Sequence, residues 1–572
     1  MRLRTLLIIM IGCLILGSGC SSGSERSVSR YMGEIVESFR KREKLEGLSV
    51  AVVAGGETVM VLGEGWADKA SGRPLTAETP MPVGSISKLF TTLAILQLAG
   101  ENHISLDSPV SVYLPKLKMS DGGEERIRVR DLLTHHGGLP GDRWGGWIPE
   151  TSGLEELRSL PAELSDTTLI SSPGTHFSYS NLGFDLLGLI IEQVSGMNYD
   201  AYIEENIFAA AGMSDAQVFP DKDDDRLPLG YGKGDPAPPA CIRDIPAGAF
   251  LLSAEDGAAF IKALYPENGV GLISETAMAE MLTRQNRDAA ADGRFEIGLG
   301  FWLIDPFGID TPLASHGGEL PPFNSILITI PEHRAGIMVS SNDFGKDGSG
   351  AVSLGVELAE VLIDFLGESI PGVPLPPERE WKAGEPEEWA GLYPSAAGPI
   401  VIESRGDDMF IRMSGKTMHA VPREENALSL ELRILGIPLP IKALESIRLD
   451  LYKADGETWL GLWMGGLFGG SVRRIPLPVY DDEFSQYAGT YTLSHKSAPG
   501  PVDKLAIIEK KGIFFMEFKF LGMDMIFPLR SEGKNHAVTA GQGRGLGEHL
   551  HFRETARGLS LEWSGLDFER VK

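Results

Sequence analysis

The chain has 572 residues, enough for about three or four domains, and its 42% hydrophobic and 23% charged residues argue against disorder, collagen and coiled coil. A formal net charge of −27 argues against a nucleic-acid-binding protein, since phosphate contacts need a basic surface. Three cysteines are too few for a scaffold built on disulfides or for a cysteine-rich zinc module.

The first residues predict an export signal. An apolar run over residues 6–16 follows two arginines; it is shorter than the ~20 residues that span a bilayer, but it has the length of a signal-peptide core. Small residues precede Cys20, as in the cleavage motif of bacterial lipoproteins. We therefore expect a lipoprotein signal peptide over residues 1–19, a lipid on Cys20 and an exported protein anchored to a bacterial membrane, which is the outer membrane or periplasm in a Gram-negative cell. An ordinary secretory signal cut near Gly19 is the alternative.

Residues 30–370 alternate between strand and helix patterns and predict one α+β domain. Two apolar runs, 48–53 and 59–62, flank a pair of glycines and predict a β-hairpin. Leucines recur at helical spacing from residue 89 and again over residues 182–190. A domain of this size buries enough apolar surface by itself, so we expect it to fold without the segments that follow.

Ser85 and Lys88 open the helical pattern of residues 89–98 and are candidates for catalysis. Their i, i+3 spacing places the hydroxyl and the amine on one helix face. A serine needs an adjacent base to become a nucleophile, and a lysine whose pKa is lowered by its surroundings can be that base. The Ser-x-x-Lys segments that begin at Ser38 and Ser531 are not followed by an apolar helix, so we expect them to be non-catalytic.

The segment Val-Gly-Ser-Ile-Ser-Lys-Leu-Phe-Thr at residues 83–91 resembles the nucleophile motif of the serine β-lactamase and penicillin-binding protein superfamily. It is most similar to the class C-like branch, which includes D-aminopeptidases and esterases. Further segments agree in the family's order, at residues 106–110, 130–140, 173–181 and 247–253. The resemblance covers about residues 45–345 and implies a β-lactamase-like transpeptidase fold, an antiparallel sheet with helices on both sides and a helical subdomain.

The resemblance also implies roles for two residues of the single Tyr-x-Asn motif. Tyr179 would transfer protons between serine, leaving group and water, with Lys88 as its cationic neighbour, and Asn181 would hold the substrate amide. His135 and His136 fall in a segment that is structural in the family, so we expect structural roles for both.

The third family motif, Lys-Thr-Gly in many β-lactamases, corresponds to His316, Gly317 and Gly318. The glycines would let this strand approach the substrate closely. By analogy, the backbone N–H groups of Ser85 and Glu319 would form the oxyanion hole. A histidine is mostly neutral near pH 7 and is a weaker partner than lysine for the carboxylate of a β-lactam, so we expect poor β-lactam hydrolysis.

Two similar segments follow the proline-rich stretch at residues 371–377. The pattern around Trp389 recurs 98 residues later, and Trp463 recurs 100 residues later as Trp563. Apolar runs around glycine turns fill both segments and are typical of β-hairpins. We expect two small antiparallel, lipocalin-like β-barrels, at residues 386–475 and 479–572.

Together these patterns predict an exported serine hydrolase that forms an acyl-enzyme on Ser85. The resemblance favours D-residue-containing or peptidoglycan-derived peptides as substrates, with small esters as the second choice; a cell-wall peptide sensor without turnover is the alternative from another class. We expect a small peptide, amide or ester as partner, no nucleic acid, no metal and no cofactor, because neither a phosphate loop nor a metal motif occurs. Trp144 and Trp147 would form a substrate wall or cover core.

Overall fold

The computed structural model describes residues 21–571 apart from short gaps, which are residues 150–152, 222, 233–234, 268, 270, 304, 347, 349, 396–397, 414, 435–436, 440–443, 445–446, 465–466, 481–482, 495–500, 521–522, 542–544 and 556–557. The predicted signal peptide and Cys20 lie outside the described residues. Among the residues that are described, no helix has both the length and the apolar character needed to cross a membrane.

A six-stranded antiparallel sheet forms the centre of the first part of the chain, by which we mean residues 21–365. Its order is β3-β2-β1-β8-β7-β6, and β4 pairs separately with β5. The strands are β1 (Gly47–Ala54), β2 (Glu57–Asp68), β3 (Arg73–Pro74), β4 (Met81–Pro82), β5 (Leu251–Leu252), β6 (Ala314–Leu320), β7 (Phe323–Ile330) and β8 (Ala335–Ser341). The predicted hairpin is thus β1 and β2.

Some helices cover the two faces of this sheet, and others pack mainly against one another. They are α1 (Ser21–Glu43), α2 (Ser87–Gly100), α3 (Val129–Leu133), α4 (Leu154–Glu163), α5 (Asn181–Ser195), α6 (Tyr199–Ile203), α7 (Ala209–Ala211), α8 (Ile245–Gly248), α9 (Ala254–Leu264), α10 (Glu275–Met281) and α11 (Gly350–Phe365), with α12 (Glu385–Trp389) after the sheet. Alternate residues of a strand point to opposite faces, so Val50 of β1 packs in the cluster that contains α1 and α11, whereas Ala51 packs in the cluster that contains α9.

Helix α2, which follows Ser85, is buried around its whole circumference. Its Phe90 stacks on Phe260 of α9 with ring centroids 4.2 Å apart and contacts Phe208 and Phe250 at 5.6 and 5.4 Å. A helix that is apolar on all sides is stable only inside a protein core. This packing fixes the position of the residues at its amino-terminal end.

Two antiparallel β structures follow, and the predicted fold class is confirmed. The first has the order β17-β16-β15-β13-β12-β11-β10-β9, with β14 paired to β13 and one bridge between Leu392 and Ile475 joining its ends. Its strands are β9 (Gly391–Tyr393), β10 (Ile400–Arg405), β11 (Asp408–Met413), β12 (Lys416–Pro422), β13 (Ala427–Ile434), β14 (Ile437–Leu439), β15 (Ile447–Ala454), β16 (Glu457–Met464) and β17 (Leu467–Arg473).

The second β structure is a closed eight-stranded barrel in which β18 pairs with β25. Its strands are β18 (Gly489–Leu493), β19 (Lys504–Lys510), β20 (Ile513–Phe520), β21 (Met523–Ser531), β22 (His536–Thr539), β23 (His549–Thr555), β24 (Gly558–Trp563) and β25 (Leu566–Arg570). Closure leaves the barrel without a free sheet edge. Below, the first sheet means the structure formed by β9–β17, not the six-stranded sheet, and the second barrel means the closed structure formed by β18–β25.

The second barrel shares a hydrophobic core with the first part of the chain. Phe520, at the end of β20, contacts the rings of Trp144 and Trp147 with centroids 4.7 and 5.8 Å apart. Close by, the backbone N–H of Gly145 donates to the carbonyl of Ser564 at 2.9 Å. The buried apolar residues of both parts form one continuous cluster. The two tryptophans therefore cover core, and the folding of residues 30–370 without the repeats stays a prediction.

We predict that Phe520→Ala destabilises the protein, because it removes a ring that packs between the two parts. The expected decrease in the free energy of unfolding is about 1–3 kcal/mol. Urea denaturation followed by tryptophan fluorescence measures it, since Trp144 and Trp147 lie at the contact. Val479→Ala, at a side chain that is 84% exposed, is the control. Equal unfolding free energies for the Phe520 variant and the wild type would contradict the shared core.

Candidate active site

Ser85 lies in a single 3-10 turn, Gly84–Ile86, that leads into α2. Gly84 has a φ of 51°, which favours glycine, and a Cβ atom there would lie 2.3 Å from the backbone nitrogen of Glu319. The turn is therefore pressed against strand β6. The α-helix itself begins at Ser87, two residues after the candidate nucleophile.

The side chain of Lys88 is fully buried and connects three segments of the chain. Its Nζ lies 3.1 Å from the Oγ of Ser85. The same ammonium nitrogen donates to the Oδ1 of Asn181 at 2.7 Å and to the carbonyl of Ala247 at 2.6 Å. Three acceptors match the three N–H groups of a lysine ammonium. The i, i+3 spacing thus places the predicted nucleophile and base in direct contact.

Tyr179 lies beside this lysine. The Nζ of Lys88 is 4.8 Å from the centre of the Tyr179 ring, within the range of a cation–π contact. On the same ring, His135 stacks with a centroid distance of 4.2 Å and an interplanar angle of 28°. A positive charge next to a phenol favours its ionised form. The structure thus brings the predicted proton-transfer residue to the Ser85–Lys88 pair.

His135 is a neighbour of the site that the sequence did not reveal. The residue has a φ of 58°, and its Nδ1 accepts a hydrogen bond from the backbone N–H of Ser180 at 3.1 Å. Burial, with a contribution from the Lys88 charge, holds the pKa of His135 well below its usual 6.5, so the ring is neutral. The only sequence signal was its place in a family motif, which did not distinguish it from His136. In contrast, His136 Nε2 pairs with the buried Asp292 at 2.9 Å.

Asn181 is the first residue of α5, and both the oxygen and the nitrogen of its side-chain amide form hydrogen bonds. Its Oδ1 accepts from Lys88, and its Nδ2 donates to the Oδ1 of Asp142 at 2.6 Å. The hydroxyl of Ser180 caps the helix by accepting from the N–H of Gly183 at 3.0 Å. Asp142 therefore orients the amide, and no sequence pattern had singled out this carboxylate.

His316 lies on β6 with its ring buried next to the site. Its Nδ1 donates to the carbonyl of Gly317 at 2.6 Å, and the ring of Trp302 lies 5.4 Å away. Burial, reinforced by the positive charge of Lys88, lowers the pKa of His316 to about 3. The third motif therefore supplies a neutral imidazole to this side of the site.

The backbone of β6 touches the turn that carries the nucleophile. A Cβ atom at Gly318 would lie 1.8 Å from the carbonyl of Val83, so only glycine fits there. The hydroxyl of Ser325 also donates to that carbonyl, at 2.7 Å. With the nitrogen of Glu319 beside Gly84, the predicted oxyanion-hole donors, Ser85 and Glu319, lie on adjacent segments, and the Glu319 side chain is exposed.

The described residues contain no group of three or more histidine, cysteine, aspartate or glutamate side chains that could hold a metal ion. The arrangement consists of a hydroxyl, a buried amine, a phenol and an amide, set against a glycine-containing strand. Such a set can activate a serine for attack on a carbonyl carbon and stabilise the resulting oxyanion.

The fold and this arrangement are those of the active-site serine proteins with a β-lactamase-like architecture. Residues 32–359 match the Beta-lactamase family, and the chain belongs to that family.

Two curated relatives and one solved structure show how far the similarity extends. Protein flp of Staphylococcus aureus is 27% identical over 322 residues, which are 54% of this chain and 62% of that protein. A D-aminopeptidase of Brucella ovis is 37% identical over 192 residues, 32% of this chain and 35% of that enzyme. The chain thus spans less than two thirds of the length of these relatives. The crystal structure of SurE has the same fold, with a TM-score of 0.57 and 21% identity over 79% of this chain and 100% of that one.

We predict that His316 makes the stability of the protein depend on pH below about 6.5. The unfolded chain takes up a proton on this residue near pH 6.5, whereas the folded protein does so only near pH 3. Stability therefore falls as the pH drops between these values, by up to about 1.4 kcal/mol for each pH unit. His316→Gln removes this contribution.

Urea denaturation of wild type and His316→Gln between pH 7 and pH 5 tests this prediction. The variant should show the shallower dependence of unfolding free energy on pH. His103→Gln, at a side chain that is 58% exposed, serves as the matched histidine control. Identical slopes for wild type and the His316 variant would mean that His316 is accessible to protons in the folded state.

Proposed function

We propose that the protein is a serine hydrolase that works through an acyl-enzyme on Ser85. The observation that carries this proposal is the 3.1 Å contact between the Ser85 hydroxyl and the buried amine of Lys88. A buried amine beside a hydroxyl is poorly hydrated, and loss of its proton makes it a base for that hydroxyl. Membership of the Beta-lactamase family and the similarity to a D-aminopeptidase support the same reaction class.

In the proposed reaction, the Ser85 oxygen attacks the substrate carbonyl carbon while neutral Lys88 takes the hydroxyl proton. The N–H groups of Ser85 and Glu319 donate to the oxyanion that forms. As the carbon–leaving-group bond breaks, Tyr179 donates a proton to the departing nitrogen or oxygen and regains one from Lys88. Water then attacks the acyl-enzyme ester, passes a proton through the same groups to the Ser85 oxygen and releases the acid product.

We propose small peptides or amides with a D-residue, or peptidoglycan-derived peptides, as the substrates. The 37% identity to the D-aminopeptidase over 192 residues supports this class. The neutral His316 ring favours acyl groups without a carboxylate next to β6, since it offers no charge to bind one. The same neutrality suits small esters, which are the second candidate. A screen of D-aminoacyl amides, short esters and a chromogenic cephalosporin distinguishes these classes.

We predict that Ser85→Ala abolishes labelling by a fluorophosphonate probe and all ester and amide turnover, because the probe and the substrate both need the activated hydroxyl. Gel fluorescence and product release measure the two effects. Ser531→Ala is the matched control, since Ser531 lies at the end of β21 in the second barrel and begins an equivalent Ser-x-x-Lys sequence. Full labelling of the Ser85 variant would refute the assignment, and one acylation per molecule without turnover would identify a sensor.

We further propose that the protein is exported and held on a bacterial membrane by a lipid on Cys20. The apolar core of the leader and the small residues before Cys20 support this location. Cys20→Ala should move the protein from the membrane fraction to the soluble fraction, because lipidation would supply its attachment. Fractionation with immunoblotting measures the change, with Cys241→Ala as control. Membrane retention of the Cys20 variant would contradict lipid anchoring.

A further inference from the structure

Trp463 and Trp563 occupy corresponding places in the two C-terminal repeats but have different surroundings. Trp563, on β24, is fully buried inside the second barrel and contacts the ring of Phe518 at 5.0 Å. Trp463, on β16, is half-buried and packs outside its own sheet's core, against the first part of the chain. One copy of the repeat therefore uses this tryptophan as core, and the other copy uses it as a contact surface.

Strand alternation explains the difference. On β16, Leu460 and Leu462 pack in the core of the first sheet, so Trp463 faces the opposite side, together with Trp459. On β24, Leu561 and Trp563 share one face and are both fully buried inside the barrel. The two repeats thus place this tryptophan on opposite faces of the corresponding strand.

The residues that receive Trp463 lie next to the candidate active site. Its partners are a small apolar cluster made of Phe177, Phe295, Ile297 and Trp302. Trp302 is bridged to Ser315 of β6 and contacts the His316 ring at 5.4 Å. On the other side, Phe177 contacts Phe295 at 4.6 Å and the rings of His135 and Tyr179 at 5.5 and 6.4 Å.

Three members of this cluster, Phe177, Trp302 and Trp463, are half-buried although they are large and apolar. Aromatic rings that stay partly open beside reactive groups form a surface on which an apolar ligand group can be buried. The polar groups of His316 and Tyr179 border this surface. The cluster is therefore placed to contact a substrate whose carbonyl carbon is at Ser85.

We infer that Trp463 and Trp302 form an apolar wall of the substrate site, and that the protein selects substrates with a bulky apolar side chain near the scissile bond. This inference rests on the proposed function and names the substrate class more narrowly. It assigns the first sheet a direct part in specificity, through a residue on the outer face of β16.

The experiment compares the full-length wild type with Trp463→Ala on two matched substrate pairs. In one pair the acyl group varies, p-nitrophenyl acetate against p-nitrophenyl 3-phenylpropanoate; in the other the leaving group varies, D-Ala-Gly against D-Ala-D-Phe. The wild type should prefer the bulky member of at least one pair. In the variant this preference, measured as the ratio of kcat/KM values, should fall about three- to tenfold, the range expected for loss of one aromatic contact.

Trp66→Ala is the matched control, because Trp66 is 37% exposed on β2, and its substrate ratios should equal those of the wild type. Unchanged ratios in both pairs for a folded, active Trp463→Ala protein would overturn the inference while leaving the proposed function intact. If circular dichroism shows that this variant is unfolded, Trp463→Gln, which keeps some side-chain volume but no apolar ring, is measured in its place: a reduced kcat/KM ratio supports the wall and an unchanged ratio overturns it. Absence of any Ser85-dependent turnover in the wild type would instead overturn the proposed function.

Discussion

The buried ammonium group of Lys88 is the interaction on which the arrangement of the site depends. A charge that is removed from water is tolerated only when hydrogen bonds replace its hydration. Lys88 obtains these bonds from the turn before α2, from the start of α5 at Asn181 and from the carbonyl of Ala247 in α8. Because these acceptors belong to separate segments, satisfying one side chain also fixes the distances between the groups that would react.

The local parts of the site could be predicted from the sequence. Ser85 and Lys88 are three residues apart on a helix, and Tyr179 and Asn181 are two residues apart before another helix, so each pair is specified by its own stretch of chain. The resemblance to a known superfamily then brought these pairs together with the His316 strand. The hairpin of β1 and β2 and the repeat of antiparallel structures were predictable in the same way, from short periodic patterns.

The remaining features depend on contacts between distant segments, which leave no mark on local spacing. Asp142 is important only because Asn181 folds against it, and His135 only because its ring stacks on Tyr179. The direction of Trp463 depends on which face of β16 packs into the core of the first sheet, and that is opposite to the choice made at Trp563. The shared core was missed for a similar reason, since Phe520 and Trp144 are both ordinary core residues until their contact is seen.

The shared core also joins two segments that lie far apart in the sequence. Apolar residues of the first part and of the second barrel belong to one cluster, whereas the first sheet, between them in sequence, buries a cluster of its own. The first sheet contacts both of these parts through smaller apolar clusters. During synthesis the first part emerges well before the barrel that completes its core. Until β20 and the strands after it are made, Trp144 and Trp147 lack the ring of Phe520 that covers them in the folded protein.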